Sequence, residues 1–146
     1  MTYIISKNFT LEEFEKTSHK HIDNKIKSDE VKANVIYIVN TYLQPFRDFI
    51  NKPLIITSGY RSNELNKFIK GAEKSAHKKG LAVDLVCPSI SLQEFRQITF
   101  NFFENNVFEK INYDQIIWEP AWIHLGFAQK GTKARRQIID LKKILS

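Results

Sequence analysis

A single cysteine, Cys87, leaves no partner for an intrachain disulfide, so stability has to come from a packed core. A buried, inert thiol is the expected state of that residue. Glycine and proline are sparse, five and four in 146 residues, and no linker, internal repeat or low-complexity run interrupts the chain. One domain is expected, residues 1–146, long enough to enclose its own core and too short for two. No apolar run approaches bilayer-spanning length, so membrane insertion is not expected. The start, Met1-Thr2-Tyr3-Ile4-Ile5-Ser6-Lys7, lacks a basic n-region, and its apolar stretch is too short for a signal peptide. The expectation is synthesis in the cytoplasm, with any action outside the cell depending on release or on carriage in a virion.

Charge is plentiful but unevenly spread. The net charge is +6, and residues 128–146 hold Lys130, Lys133, Arg135, Arg136, Lys142 and Lys143 against Asp140 alone. A basic end can meet nucleic acid or an anionic envelope polymer, or can simply be a solvated face. Nucleic acid is not the expected partner, because that reading would leave the histidines and aspartate below unexplained. Nothing in the pattern demands an oligomer, and a monomer is favoured.

The hydrophobic periodicity predicts alternating helices and strands. Thr10-Leu11-Glu12-Glu13 is a capping-box pattern opening a short helix within residues 9–17, with Leu11 and Phe14 on one side. From Ser28, the spacing of Val31, Val35, Ile38, Val39, Tyr42 and Phe46 predicts a long amphipathic helix covering one sheet face, kinked or restarted at Pro45. Strand patterns follow at Leu54–Thr57 and Leu81–Val86, the latter entered by a sharp turn at Gly80. Between them Ser62 caps a helix over Asn63–Ile69, with Leu65 and Phe68 packing inward and Gly71 ending it. Ser91 and Glu94 open a second capped helix carrying Leu92, Phe95, Phe102 and Phe103, ended by Asn105-Asn106. Tyr113–Trp118 and Trp122–Phe127 read as a hairpin around Pro120-Ala121. The segment from Arg136 fits either a strand or a helix reaching Leu145. His19 and His21, among lysines with no carboxylate placed to complete a site, read as surface residues.

Two stretches carry residues that do not suit their surroundings. Asp84 lies inside Leu81–Val86, where a carboxylate is costly to bury unless a cation or several donors compensate it. His77 stands just before Gly80, on the loop that enters this strand, and His124 is a lone imidazole among Trp122, Ile123 and Leu125. One such histidine is commonly a satisfied core side chain. Two with an aspartate match the donor set of a catalytic zinc site, three protein ligands and a position left for water.

The order Ser58-Gly59-Tyr60-Arg61-Ser62, Leu65-Asn66, Gly71, Ser75-x-His77-x-x-Gly80-x-Ala82-x-Asp84 and Trp122-x-His124 resembles the zinc D-Ala-D-Ala carboxypeptidases and L-alanyl-D-glutamate endopeptidases. These are peptidoglycan-cleaving relatives of lysostaphin and the Hedgehog signalling domain, and the resemblance spans roughly residues 9–127. It implies an α+β domain with a mainly antiparallel sheet flanked by helices. It also implies Zn2+ bound by His77, Asp84 and His124, with Arg61 in substrate binding. The expected activity is hydrolysis of a peptide bond in the peptidoglycan stem peptide, as in a phage-type lytic enzyme.

Several relatives place an acidic residue three positions before the final histidine, where this chain has Ala121, so Glu119 is the expected base. A two-residue turn at Pro120-Ala121 would put Glu119, Trp122 and His124 on one sheet face, and Trp122 joins the expected substrate-binding residues. Ser75 either bonds substrate or shapes its loop. The main rival is a structural or virion protein that keeps the zinc fold without catalysis.

Overall fold

The computed structural model describes residues 2–105 and 111–141. A small ribbon comes first, β1 (Ile4–Ser6) against β2 (Phe9–Thr10). It leads into α1 (Leu11–Glu15), whose capping box is complete: Glu13 N–H donates to Thr10 Oγ1 and the Glu13 carboxylate accepts from Thr10 N–H. Phe14, on the inner side of α1, is fully buried.

The long helix expected from Ser28 is three consecutive pieces: α2 (Asp29–Ile38), a π-helical turn Val39–Leu43, and α3 (Gln44–Ile50). Pro45 has no N–H and its ring crowds the carbonyl four residues back, at Thr41. The wider turn falls around that carbonyl. The interruption therefore lies ahead of the proline.

The main sheet has five strands in the order β3 (Ile55–Ser58), β4 (Ala82–Val86), β6 (Ile123–Phe127), β5 (Tyr113–Trp118), β7 (Gln137–Asp140). Every pairing is antiparallel except β5 with β7. The fold is thus α+β with a mainly antiparallel sheet flanked by helices. Strand alternation separates its two faces. Val83, Leu85, Ile116, Ile123 and Leu125 are fully buried and join Val35, Ile38, Leu43, Phe46, Phe95 and Phe103 in one core under α2, α3 and α5 (Leu92–Phe103). The opposite face carries the polar row: Ser58 pairs with Asp84, Asp84 with His124, and His124 with Ile117.

Several local expectations are corrected. α4 covers Asn63–Phe68 and is capped by Ser62, which accepts from Leu65 N–H. Phe68 points outward instead, 53% exposed, with its ring against His19 and His21. Lys70, not Gly71, takes the left-handed conformation after α4, at φ 59°. Gly80 does turn the chain as expected, at φ 72°, and a Cβ there would meet Val35 Cγ2 at 2.8 Å. The β5–β6 connection is four residues, Glu119–Trp122, because the fixed φ of Pro120 cannot provide the positive φ that two-residue hairpins favour. The register survives, with Trp118 opposite Ile123.

The ambiguous C-terminal segment is a strand over Gln137–Asp140, and Leu141, the last described residue, is helical. Arg135 bonds Asp114 beside the start of β5, and Arg136 pairs with Glu104 and stacks over Tyr113, which brings β7 alongside β5. α5 ends at Phe103 with Glu104 as its cap, just before the Asn105-Asn106 expected to stop it, while Asn106 itself and the reach to Leu145 fall outside the described residues. Cys87 is a buried free thiol.

Candidate metal centre

His77 arrives on a 3-10 turn, Ala76–Lys79, capped by Ser75, whose hydroxyl accepts from His77 N–H at 3.2 Å. That bond gives Ser75 the loop-shaping task, although it also lines the cleft above the site. The imidazole is 2% exposed, and its Nδ1 lies 2.6 Å from the Gly59 carbonyl. A carbonyl can only accept, so Nδ1 carries the proton and the Nε2 lone pair is free in the neutral ring. Nε2 is buried and has no hydrogen-bond partner, 3.4 Å from Asp84 Oδ1.

His124 Nδ1 meets the same Asp84 Oδ1 from the other side, at 3.0 Å. Zinc bonds of about 2.0–2.1 Å in a tetrahedron keep ligand atoms roughly 3.3 Å apart, close to the 3.4 and 3.0 Å from Asp84 Oδ1 to the two imidazole nitrogens. The orphaned Nε2, a 6%-exposed carboxylate and a second imidazole are therefore a donor set that could hold a metal ion. Burial by itself pushes the Asp84 carboxyl up. The hydrogen bond with His124 and the nearness of both imidazoles, charged when protonated, outweigh it and hold the group well below the ordinary carboxylate range.

The remaining oxygen, Asp84 Oδ2, lies 3.7 Å from Arg61 Nη2. Arg61 Nε donates to Ser58 Oγ at 3.3 Å, and its backbone N–H donates to the His77 carbonyl at 3.0 Å. Burial lowers its guanidinium from the usual value, opposed by the charges of Asp84 and Glu119. Arg61, Ser75, His77, Asp84, Glu119, Trp122 and His124 all line a single cleft of about 880 Å³. Every residue singled out from the sequence is thus brought to one place.

Glu119 is half-buried on this wall, and Arg96 from α5 fixes its backbone by donating to its carbonyl at 2.7 Å. Burial and the charge of Asp84 raise its carboxyl above the ordinary range, against the pull of His124 and Arg61. A carboxylate with raised affinity for a proton, beside a metal-binding set, can act as a general base. Trp122 Nε1 is buried with no partner among the described residues.

Sequence reasoning missed two asparagines that hold these loops. Asn34 donates to the Lys79 carbonyl and exchanges bonds with the Gln129 amide. Asn24 binds the chain on both sides of Arg61. Asn24, between Asp23 and Lys25, looks like any turn former, and Asn34 is a single polar residue between Ala33 and Val35 inside α2, so periodicity carried no signal for either.

Residues 7–125, most of the chain, match the family model described as Peptidase M15. Among curated proteins, none matches.

Proposed function

The chain belongs to the peptidase M15 family, the D-Ala-D-Ala carboxypeptidase-like zinc peptidases, and from this membership we propose that it hydrolyses a stem-peptide bond of peptidoglycan. The observation that carries the reading is the buried, unpartnered His77 Nε2, facing the Asp84 carboxylate and His124 on a cleft floor. A protein that bound no metal there would gain nothing from leaving that atom unsatisfied.

His77, Asp84 and His124 would hold the zinc. When bound, zinc supplies a Lewis acid that polarises the scissile carbonyl and makes water a stronger nucleophile. Glu119 takes the proton of the attacking water and delivers it to the leaving amine as the C–N bond breaks. Its raised proton affinity suits both halves of that transfer. Arg61 holds a substrate carboxylate or the carbonyl oxygen on which negative charge develops, using the planar fork that ammonium groups lack. Its Nη2 lies 3.7 Å from Asp84 Oδ2, beside the metal-binding set.

The substrate bond is D-Ala-D-Ala or L-Ala-D-Glu, and the setting is a phage-type lytic enzyme acting on the wall after release or from a virion. Purified peptidoglycan incubated with the protein, with products identified by mass, tests this. Release of one defined peptide or of D-alanine, abolished by a chelator and restored by zinc, is expected. An unchanged polymer would favour the non-catalytic zinc-fold protein.

A further inference from the structure

Residues 16–28 join α1 to α2 with neither helix nor strand. In a compact domain a connection of that length commonly has a task of its own. Two of its side chains are buried, Ile22 and Asn24, and Asn24 is 4% exposed. Its amide nitrogen donates to the Glu15 carbonyl at 3.1 Å and to the Tyr60 carbonyl at 2.9 Å, while its oxygen accepts from Ser62 N–H at 2.7 Å. One side chain therefore grips the peptide groups immediately before and after Arg61, and ties both to the end of α1.

The guanidinium itself is held loosely. Its contacts to Ser58 Oγ at 3.3 Å and Asp84 Oδ2 at 3.7 Å are long for charged partners. The direction of the side chain is then set mainly by its backbone, which runs from Ser58 to Ser62 beyond the end of β3 and before α4. The other anchors of that path are Tyr60 N–H to the Phe14 carbonyl and Arg61 N–H to the His77 carbonyl, so that among the described residues the Tyr60 carbonyl and the Ser62 N–H are met by Asn24 alone.

We propose that Asn24 is the positioning residue of Arg61: its buried amide brackets Arg61 and aims the guanidinium into the metal cleft. This rests on the peptidase reading given above. A small rotation of the Arg61 peptide is magnified along the side chain, and misplacement by about 1 Å costs about 10²-fold in rate.

The test compares Asn24→Ala, Arg61→Ala and the double variant on purified peptidoglycan. Asn24→Ala is expected to keep one zinc per chain and to lower kcat/KM by about tenfold to 10²-fold. Placed in the Arg61→Ala background, it is expected to cost less than about threefold, because its effect passes through Arg61. An equal loss in both backgrounds, or wild-type turnover by Asn24→Ala, overturns the proposal. If Asn24→Ala does not fold, Asn24→Asp carries the same expectations, since it keeps the volume and the acceptor for Ser62 but loses the donors.

Amide exchange separates this proposal from the peptidase reading. If the wild type leaves peptidoglycan uncut, that reading fails, and exchange alone then judges Asn24. The Arg61 amide should exchange at least about tenfold faster in Asn24→Ala, with Leu125 in β6 unchanged. Unaltered protection at Arg61 overturns the placement.

Discussion

Asp84 and Asp114 are both carboxylates faced by cationic side chains, and both are held below their ordinary titration range. They differ in what is left over. Asp114 meets one arginine, Arg135, whose side chain is 62% exposed, and the pair accounts for both charges. Asp84 meets three basic side chains, Arg61, His77 and His124, and His77 Nε2 still has no hydrogen-bond partner. Titration direction cannot separate a structural pair from a metal-binding centre, whereas the ratio of bases to acid and the orphaned donor atom can. In the basic C-terminal segment, too, several of the described cations have local partners. Arg135 and Arg136 are committed to Asp114 and Glu104, and Lys130 lies over the Tyr37 ring.

The contrast breaks most sharply at His77. His77→Ala is expected to bring zinc from one per chain to a trace and peptide release to background, because two protein ligands no longer make a closed set. Metal analysis beside product mass spectrometry measures both. Stoichiometric zinc in the variant would make Asp84 an ordinary buried ion-pair partner, like Asp114.

Glu119→Gln comes next. It should bind zinc normally and lower kcat about 10²–10⁴-fold. As a base, Glu119 works only when ionised, and its affinity for protons is raised. Activity should therefore fall as pH drops through a value above the usual glutamate range of about 4.3. That limb should vanish in the glutamine variant, and any acid limb remaining there belongs to protonation of the ligands. Full turnover would instead make Glu119 a bystander on the cleft wall.

Arg61→Ala should keep zinc and lose roughly 10- to 150-fold in kcat/KM, the equivalent of about 1.5–3 kcal/mol for a hydrogen bond to a charged group. Lysine should recover little of it.

The strand half of this site could be read before any coordinates, and the loop half could not. Val83, Asp84 and Leu85, then Ile123, His124 and Leu125, alternate strictly, and period two alone puts Asp84 and His124 on the face away from the core. The opposition of Ile117 and His124 followed from counting back from the turn, and it held although the turn is wider than two residues. The loops obey no period. Gly59 approaches Phe14 so closely that a Cβ would lie 2.8 Å from its Cα, and its carbonyl then sets the His77 tautomer. That contact joins residues far apart in sequence with no pattern connecting them. Phe68 misled for a related reason: its helical spacing matches Leu65, but α4 is too short and too near the surface for a second inward position. The choice of strand for β7 lay in Arg135 and Arg136 finding Asp114 and Glu104, a tertiary event.

The smallest effect belongs to the other side of the comparison. Arg135→Ala removes bonds from Nε and Nη2 to the Asp114 carboxylate, but the arginine is largely in solvent and the pair is screened. A loss of about 0.5–1 kcal/mol is expected in urea unfolding at neutral pH, shrinking in molar salt. Burial raises the Asp114 carboxyl, and its bonds with Arg135 more than offset this, so its folded value lies below its unfolded one. The stabilisation is accordingly complete above the unfolded value and disappears as pH falls through the folded value. Wild type and variant should converge in acid. A difference that persisted there, or in molar salt, would show that the arginine acts through packing along β5 and β7, and Asp114 would no longer be a fair counterpart to Asp84.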